Sequence, residues 1–342
     1  MATYLDTQAP PRVELTAADR ALAQALQING RASFRELAEV LGVSDQTVAR
    51  HWARLRSSGA LRVLGLTDPL RLGESPWFVR VRCTPDAAES IGRALARRTD
   101  TTWVNLISGG TEISCSVRTP EPSRGDTLLL QRLPRTPRVV DVAAHCLLHV
   151  FFGQNLSSIN KTGPLTPEQA AALAPPAAPP PPAESGPAVG LDSADREMLD
   201  LLARDGRAPV GELARATGLS PSTVRRRMAE LRAEGLLYYD VEYHPDIVHR
   251  AFRASLWLEI DPARLPEAGN ALAAHPEVSF AAAVTGAANL FAAVDVPNAQ
   301  FFYRYVTESV ATLPGLRHTA TAPIHRTLKG PGPYLPPAPR PE

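Results

Sequence analysis

Residues 213–231 read LARATGLSPSTVRRRMAEL, which predicts a short helix, a tight turn at Gly218 and a second helix. Ser220 is placed to cap the second helix, and Pro221 at its first turn loses no hydrogen bond because that N–H has no helical partner. Apolar residues recur at i, i+4 and i+7, so one face of this helix is buried: Val224, Met228 and Leu231. The stretch is therefore typical of a helix-turn-helix.

The exposed end and flank of the second helix carry short polar groups and guanidinium groups: Ser222, Thr223, Arg225, Arg226 and Arg227. Such side chains suit a helix in the major groove of DNA. Successive helical residues are about 100° apart, so the three arginines cannot share one role. We expect one or two at base edges and the others at phosphates. Ser220 is a further candidate contact, with capping alone as the alternative; for the whole helix the alternative is an ordinary surface helix with solvated arginines.

The overall composition is that of a globular chain with balanced charge. The 342 residues include 36 Lys and Arg against 35 Asp and Glu, a net charge of +1. This balance neither favours nor excludes nucleic-acid binding, because binding needs only a local basic patch. The length allows roughly two to four domains with their own cores.

Cysteine usage and hydropathy suggest the cellular setting. Cys83, Cys115 and Cys146 lack metal-ligand spacing and lie in apolar, strand-like runs, which predicts small buried side chains in a reducing compartment. The chain has no run of about eighteen apolar residues and no signal peptide pattern. We expect a cytoplasmic protein with no membrane partner.

The two halves of the chain repeat each other. Ten residues of the first half recur 176 positions later: Leu15, Asp19, Arg20, Gly42, Ser44, Thr47, Val48, Arg50, Leu55 and Gly59. The triplets Gly-Arg-Ala at 30–32 and Glu-Leu-Ala at 36–38 recur at 206–208 and 212–214. The chain is therefore a tandem duplication.

Each repeat begins with three predicted helices and a short extended hairpin, the wing of a winged helix-turn-helix. In the first copy the helices are predicted at 17–28, 33–41 and 45–57 and the extended segment at 61–67. In the second copy they are predicted at 193–204, 210–217 and 221–234, with the extended segment at 236–243. Gly59 and Gly235 end the third helices, as left-handed caps do.

A second repeated module follows each wing, at an offset of 177. Its strands are predicted at 77–83, 102–108, 112–117 and 139–152, and again at 252–260, 278–284, 289–296 and 316–326. Helices are predicted at 86–98, 125–133, 265–274 and 299–312. This order is the split βαββαβ, ferredoxin-like arrangement. The predicted fold class is α+β, with two winged helix-turn-helix domains and two ferredoxin-like domains in tandem.

Proline-rich tracts separate and end the two halves. Residues 174–187 favour an extended polyproline spacer, with a proline-recognition ligand as the alternative. The predicted boundaries are a flexible tail at 1–12, winged helix-turn-helix 1 at 13–73, ferredoxin-like domain 1 at 74–153, a linker at 154–188, winged helix-turn-helix 2 at 189–248, ferredoxin-like domain 2 at 249–329 and a flexible tail at 330–342.

Five motifs follow one another in the second copy: Leu191-Asp192, Asp195-Arg196, Gly206-Arg207-Ala208, Glu212-Leu213-Ala214 and residues 218–227. In this order they resemble the Lrp/AsnC (feast/famine) family of transcription regulators. The resemblance covers both halves outside the linker and tails. The first copy departs more, with Asp45, Ala49 and His51 where the second copy has Pro221, Arg225 and Arg227.

The resemblance implies a regulator that binds double-stranded DNA and whose α/β (RAM) modules pair through their sheets to sense amino acids or related metabolites. In the family two separate chains pair, so this chain is expected to form an intramolecular pseudo-dimer, and further homo-oligomers of it are expected. In the family, effectors lie near the glycine turn between the second and third strands, where the paired modules meet. The corresponding residues here are Gly109, Gly110 and Glu112 in the first copy, and Gly286 and Asn289 in the second. Many relatives carry an aspartate after the glycine for the α-amino group. Glu112 and Asn289 hold that position, so at most one copy keeps the contact. The alternative is that the glycines only permit a positive-φ turn.

The first helix-turn-helix presents a different set of exposed residues: Gln46, Thr47, Arg50 and Arg54. Gln46 could read adenine, with a solvated role as the alternative. We call the two helix-turn-helix domains the first and second heads. Because their exposed residues differ, we predict an imperfect, asymmetric operator to which the second head contributes more of the binding affinity.

No pattern in the sequence predicts an enzyme, a metal or a cofactor. There is no phosphate loop, nucleophile elbow or carboxylate pair, and His145 and His149 at i, i+4 in a strand would be roughly 13–14 Å apart. The alternative is a sirohaem decarboxylase, since those enzymes resemble the same two-module unit. The arginine run argues against it, because a decarboxylase has no need for one.

Overall fold

The computed structural model describes residues 15–120, 132–174, 190–243 and 252–334. The chain divides into two compact units. One, here called the helical unit, contains residues 10–74 and 154–248; the other, the α/β unit, contains residues 75–153 and 249–342. Corresponding parts of the two repeats are thus grouped together within one unit.

The elements of the two halves follow the same order. In the first half they are α1 (Ala17–Ile28), α2 (Phe34–Leu41), α3 (Asp45–Ser57), β1 (Leu61–Thr67), β2 (Glu74–Cys83), α4 (Ala88–Ala96), β3 (Thr101–Ile107), β4 (Glu112–Pro120), β5 (Val139–Phe152), α5 (Ser158–Thr162) and α6 (Pro167–Leu173). In the second half they are α7 (Ser193–Arg204), α8 (Val210–Thr217), α9 (Pro221–Ala233), β6 (Leu237–Tyr243), β7 (Phe252–Ile260), α10 (Leu265–Ala274), β8 (Val278–Val284), β9 (Leu290–Val296), α11 (Ala299–Arg304) and β10 (Leu316–Lys329). One π turn (Tyr305–Ser309) and a short 3-10 turn continue α11. The helix predicted at 125–133 lies mostly outside the described residues.

Both helix-turn-helix motifs form as their caps predict. Ser220 accepts a hydrogen bond from the Thr223 N–H at the start of α9 (3.1 Å), and Gly218 ends α8 with φ of 70°. In the first copy Ser44 caps α3 through Thr47 in the same way, also at 3.1 Å. The side-chain oxygen satisfies an N–H that has no partner within the helix.

The predicted wing hairpins are wrong. β1 and β6 pair with each other in an antiparallel two-stranded sheet, from Leu61 opposite Tyr243 to Thr67 opposite Leu237. Each copy supplies one strand, so the backbone groups of both are satisfied across the two copies instead of within each. Val63 and Val241 lie opposite each other in this sheet and join a core that both heads share.

The first part of the predicted linker is folded, so the prediction is wrong for residues 154–174. Helices α5 and α6 pack on the first head, burying Ile159 (1% exposed) and Leu173 (4% exposed) in its core. The side chain of Gln169 donates to the Val40 carbonyl (2.7 Å). The segment contains apolar residues that are stable only when buried. The proline-rich tract beside it made the whole stretch resemble a linker in the sequence. The proline tract at 175–189 lies outside the described residues.

The α/β unit is a closed barrel in the order β10-β3-β4-β2-β5-β8-β9-β7, in which the four strands of the first module are followed by the four strands of the second. β5 pairs with β2 along its first half and with β8 along its second half. β10 likewise pairs first with β7 and then with β3. These two long strands join the modules, so the predicted fold class and the pairing of the modules within one chain are confirmed.

Two smaller expectations are corrected at the edges of the α/β unit. Cys83 and Cys115 are buried as predicted, but Cys146 on β5 is only partly buried. Residues 330–334, predicted as flexible tail, continue from β10: the Trp103 N–H donates to the Gly330 carbonyl (3.0 Å), and Tyr334 packs on the core of the first module. Residues 335–342 and 1–12 lie outside the described part. Within that part, no helix is long and apolar enough to cross a membrane.

Candidate DNA-binding and effector sites

Helix α9 exposes two of the three arginines in its run at 225–227. Arg225 makes no ion pair with any described residue, and Arg226 pairs with Glu230 one turn further along the helix (2.5 Å). Because the Arg226 side chain is 66% exposed, this pair is a surface contact that a phosphate or a base can displace. Arg225 and Arg226 are therefore exposed as predicted, and their contact with DNA stays a prediction.

Arg227 has a different position from the one expected. Its Nε and Nη2 atoms both donate to the carboxylate of Asp195 on α7, each at 2.8 Å, and the arginine side chain is only 23% exposed. The two hydrogen bonds from Arg227 lower the pKa of Asp195, and the same contact raises the pKa of Arg227. The structure thus uses Arg227 to fasten α9 to α7, which corrects its expected place among the DNA contacts.

The polar end of α9 is a compact group of hydroxyls. The Ser220 oxygen lies 2.8 Å from the Ser222 oxygen and 2.8 Å from the Thr223 hydroxyl. Ser220 and Ser222 are exposed, and all three surround the start of the helix, where N–H groups and the helix dipole favour an anion. Capping by Ser220 is confirmed, and phosphate contact by these hydroxyls stays a prediction.

The first head repeats this plan with fewer positive charges. Gln46 and Arg50 are exposed on α3, Thr47 is partly exposed, and Arg50 makes no ion pair with any described residue. Arg54, expected at the DNA, donates instead to the buried carboxylate of Asp19 (2.5 Å). His51, at the position of Arg227, donates to the same carboxylate (2.7 Å).

The net effect on Asp19 is a lowered pKa. Burial disfavours its charged form, but the hydrogen bonds from His51, Thr16 and Arg54 together outweigh that effect. Asp19 and Asp195 therefore have the same task in the two heads, the anchoring of α3 and α9, with different partners.

Two arginines cross reciprocally between the heads. Arg31 donates to the carbonyls of Gly206 (2.8 Å) and Ala208 (3.2 Å), and Arg207 donates to those of Gly30 (2.7 Å) and Ala32 (2.9 Å). Burial, and the nearby charge of Arg31, lower the pKa of Arg207 to about 10. We call this pair of contacts the arginine clasp. It joins the two Gly-Arg-Ala motifs and holds the two heads together within the helical unit.

The first glycine turn, residues 108–112, joins β3 to β4. Three successive residues have positive φ: Ser108 (52°), Gly109 (72°) and Gly110 (82°). The Gly109 N–H donates to Nε2 of His325 on β10 (2.7 Å). Glu112 accepts from Arg80 (2.7 Å) and from the Ser108 hydroxyl (3.3 Å). The turn therefore brings a carboxylate and exposed backbone together at a place where the two modules meet.

The second glycine turn, residues 285–289, has different contacts. The His145 Nδ1 donates to the Thr285 carbonyl (2.7 Å), and a Cβ on Gly286 would lie 2.7 Å from that nitrogen. Both arms of the Asn289 amide bind the backbone of Ile260, each at 2.9 Å. Asn289 therefore has a structural role in the loop.

The sequence prediction missed Arg80, Arg82, His145 and His325 at these turns. Their signal was available only in part, because each histidine meets a turn of the opposite copy. The long strands β5 and β10 bring them there, and the strand partners are known only once the barrel is closed. Within the described residues no group of three His, Cys, Asp or Glu could hold a metal ion.

Comparison with known protein families agrees with the duplicated plan. The AsnC-type helix-turn-helix domain matches residues 15–56 and again residues 191–232, and the Lrp/AsnC ligand binding domain matches residues 253–334. The chain therefore has the domains of a DNA-binding transcription regulator: two helix-turn-helix heads, each followed along the chain by an α/β module.

Individual relatives support the same assignment. The chain is similar to the uncharacterized HTH-type transcriptional regulator PH0140 of Pyrococcus horikoshii, 33% identical over 135 residues, which is 39% of this chain and 85% of the relative. It is also similar to the HTH-type transcriptional regulator FL11 of the same organism, 25% identical over 41% of this chain and 93% of the relative. The chain belongs to the Lrp/AsnC family of transcription regulators.

A solved structure of the same overall design is the siroheme decarboxylase NirDL. It aligns with a TM-score of 0.63 over 94% of this chain and 95% of its own, at 13% identity. The likeness shows that both proteins have this fold.

Proposed function

We propose that this chain regulates transcription by binding a single asymmetric DNA site with two unequal heads held in one polypeptide. The observation that supports the proposal is that the arginine clasp joins the two heads, each of which carries one recognition helix, α3 or α9. Arg225 and Arg226 on α9 face solvent beside three hydroxyls, while α3 offers Arg50 and Gln46. The second head therefore supplies more of the positive charge and contributes more of the affinity.

The proposed contacts differ in kind. Arg225 or Arg226 reads a guanine edge, for which a bidentate pair gives roughly 1–3 kcal/mol of discrimination. The other arginine, with Ser220, Ser222 and Thr223, holds phosphates and sets the register. On α3, Arg50 and Thr47 hold phosphates and Gln46 faces a base. An amino acid or related metabolite binds at the α/β unit and modulates the affinity, and pseudo-dimers associate further.

Selection of bound fragments from genomic DNA with the full-length chain tests the proposal. We expect a recurring site made of two related but unequal half-sites. On that site, Arg225→Ala should weaken binding about tenfold and reduce the slope of affinity against salt by about one if the residue holds a phosphate. Binding that selects no sequence would refute the proposal.

The competing function is tetrapyrrole chemistry, which the fold shared with NirDL brings forward. Rings on β2, β7 and β9 are in contact, with Phe78 and Phe291 4.6 Å apart between centroids and Trp257 and Phe291 4.7 Å apart. A macrocycle bound among these rings would have to displace them. Titration with sirohaem separates the two functions: we expect no change in its absorption spectrum, whereas a shifted spectrum without any DNA binding would favour the enzyme.

A further inference from the structure

Different cations anchor the two recognition helices. The same position of the repeat is His51 on α3 and Arg227 on α9. Each side chain binds the buried aspartate of its own head, Asp19 or Asp195. An arginine stays charged near neutral pH, whereas a histidine changes its charge between about pH 5 and 8. The two anchors are therefore expected to respond differently to pH.

In the first head the two oxygens of Asp19 have different partners. His51 Nδ1 lies 2.7 Å from Oδ1, while Oδ2 accepts from the N–H and the hydroxyl of Thr16, each at 2.8 Å, and from Arg54 at 2.5 Å. The Asp19 side chain is 0% exposed, against 21% for His51. Because the carboxylate is shielded from solvent, a proton on the imidazole adds a strong attraction between opposite charges to the hydrogen bond at Oδ1.

In the second head a single arginine binds both oxygens. Arg227 donates to Oδ1 of Asp195 through Nε and to Oδ2 through Nη2, each at 2.8 Å. The hydrogen bonds to Asp195 raise the pKa of Arg227, so its charge persists throughout the range in which a histidine titrates. This anchor should therefore have the same strength on either side of neutral pH.

Charged groups on α1 and α3 act on His51 in both directions. The carboxylate of Asp19 favours the protonated imidazole, and the neighbouring cations oppose it. Those cations are Arg54, which shares the carboxylate, and Arg20 and Arg50, which adjoin Asp19 and His51 in the sequence. Arg54 stays charged, so Asp19 keeps a cationic partner when His51 loses its proton. That loss loosens the anchor without breaking it.

Helix α3 also packs against α2 and β1, whose charged groups have partners of their own. Arg35 pairs with Glu39 (3.2 Å), Glu36 accepts from the backbone cap of its own helix, and Arg62 pairs with Glu242. Arginine and glutamate do not ordinarily titrate near neutral pH. Within α1, α2, α3 and β1, His51 is therefore the side chain that does.

The anchor decides how firmly α3 presents its exposed side chains. Gln46 and Arg50 are exposed on α3, and Arg50 directly precedes His51. A helix that is already held in one orientation loses less conformational freedom on binding than one that is loosely held. Loosening the anchor should therefore weaken the first head on DNA and leave the second head unchanged.

We infer that His51 is a positioning residue that makes the binding of the first head to DNA dependent on pH, and that the second head lacks this dependence. The inference rests on the proposed function, because it concerns the two half-sites of one DNA site. The first half-site is bound most tightly when the imidazole is protonated, so a rise in pH releases it before the second.

Footprinting of the selected site at about pH 6 and about pH 8 tests the inference, because a histidine changes its charge between them. The second half-site is the control on the same DNA. We expect protection of the first half-site to weaken severalfold at the higher pH, and protection of the second to be unchanged. Equal responses of the two half-sites would overturn the inference.

Exchange of the two anchoring side chains gives matched variants. His51→Arg should remove the pH dependence at the first half-site, and Arg227→His should confer one on the second. His51→Gln should bind the first half-site at the lower pH as weakly as the unaltered chain does at the higher pH. The two His51 variants suffice if Arg227→His does not fold, and a pH dependence that persists in His51→Arg would overturn the inference.

The salt dependence of binding separates positioning from direct contact. A cation that holds a phosphate adds about one to the slope of affinity against salt. We expect the first half-site to show the same slope at both pH values, because His51 is engaged with Asp19. A slope smaller by about one at the higher pH would show that the imidazole itself holds a phosphate, which would overturn the positioning role.

Thermal unfolding without DNA keeps the inference separate from the proposed function. The melting temperature of the unaltered chain should fall, relative to that of His51→Arg, as the pH is raised over the same range. If a DNA site is selected but pH acts equally on both half-sites, only the inference fails. If no site is selected, the proposed function fails, and the melting temperatures still report on the anchor.

Discussion

Asp19 and Asp195 occupy the same position of the repeat and anchor the two recognition helices differently. Asp195 holds one arginine through two hydrogen bonds, and Asp19 holds a histidine and an arginine. Each carboxylate also accepts a hydrogen bond from the backbone N–H of the residue that caps its helix: Asp195 from Asp192, and Asp19 from Thr16. Each aspartate therefore ties the start of the first helix of its head to the recognition helix.

Replacing Asp195 should destabilise the protein. Asp195→Asn leaves the Arg227 guanidinium with a weaker partner inside the head, and we expect a loss of about 2 kcal/mol in the free energy of unfolding. Arg226→Ala removes only an exposed ion pair and should change it by less than about 0.5 kcal/mol. Urea unfolding followed by circular dichroism measures both, and equal losses would contradict the anchoring role.

The lowered pKa values of Asp19 and Asp195 predict how stability depends on pH. A carboxyl group whose pKa is lower in the folded state contributes stability that is fully present above its unfolded value of about 4 and is lost as the pH falls through the folded value. Melting temperatures recorded from about pH 7 down to pH 3 should therefore fall most steeply below about pH 4. The Asp195→Asn variant should show a shallower fall, and an identical profile would show that Asp195 carries none of this stability.

Among the elements, α5 and α6 were hidden from sequence reasoning while α3, α7 and α8 were not. Helices α3 and α7 have a side-chain cap and a 3.6-residue apolar period, which decide their bounds locally: Asp45–Ser57 and Ser193–Arg204. Helix α8 (Val210–Thr217) has no side-chain cap, but the left-handed Gly218 marks its end. Helix α6 has only seven residues, too few for a period to show, although Thr166 caps it well. The wing hairpin was wrongly predicted for another reason. The sequence of β1 indicates a strand but does not show whether its partner strand is adjacent in the chain or about 176 positions away.

A cavity at Leu173 tests whether α6 belongs to the helical unit. Leu173 is 4% exposed and lies in the shared core, so Leu173→Ala should lower the free energy of unfolding by about 2–3 kcal/mol. Leu156, in the same segment, is 42% exposed, and Leu156→Ala should change it by less than about 0.5 kcal/mol. Chemical denaturation compares the two variants; a negligible effect of Leu173→Ala would mean that this segment is a linker after all.

At the scale of the whole molecule, duplication was readable from the sequence and its consequence was only partly so. The constant offset showed two copies, and the family resemblance implied that their sheets pair. The exchange of partners along β5 and β10, which brings His325 to the first glycine turn, depends on contacts between distant residues. The ion pair of Arg227 with Asp195 could not be predicted for the same reason, because the two residues are 32 positions apart in the sequence.

The arginine clasp joins the two heads, and we expect it to fix the spacing at which they contact DNA. The Arg207 guanidinium also lies near the ring centroids of Phe34 (5.1 Å) and Trp52 (5.5 Å), so ring contacts add to its hydrogen bonds. Moving the half-sites of a selected site apart by one or two base pairs should weaken binding by the unaltered chain at least tenfold. We expect the Arg207→Ala variant to bind the altered and the original spacing about equally. Mobility shifts on the two spacings measure this, and unchanged discrimination would show that the clasp does not set the spacing.

The central claim is that two unequal heads on one chain read one asymmetric site, and footprinting of the selected site tests it most directly. Arg50 and Arg226 occupy the same position of the repeat, one in each head. We predict that Arg50→Ala weakens protection mainly over one half-site and lowers the affinity severalfold, while Arg226→Ala weakens protection mainly over the other half-site and lowers the affinity at least tenfold. Equal losses over both half-sites for both variants would contradict it.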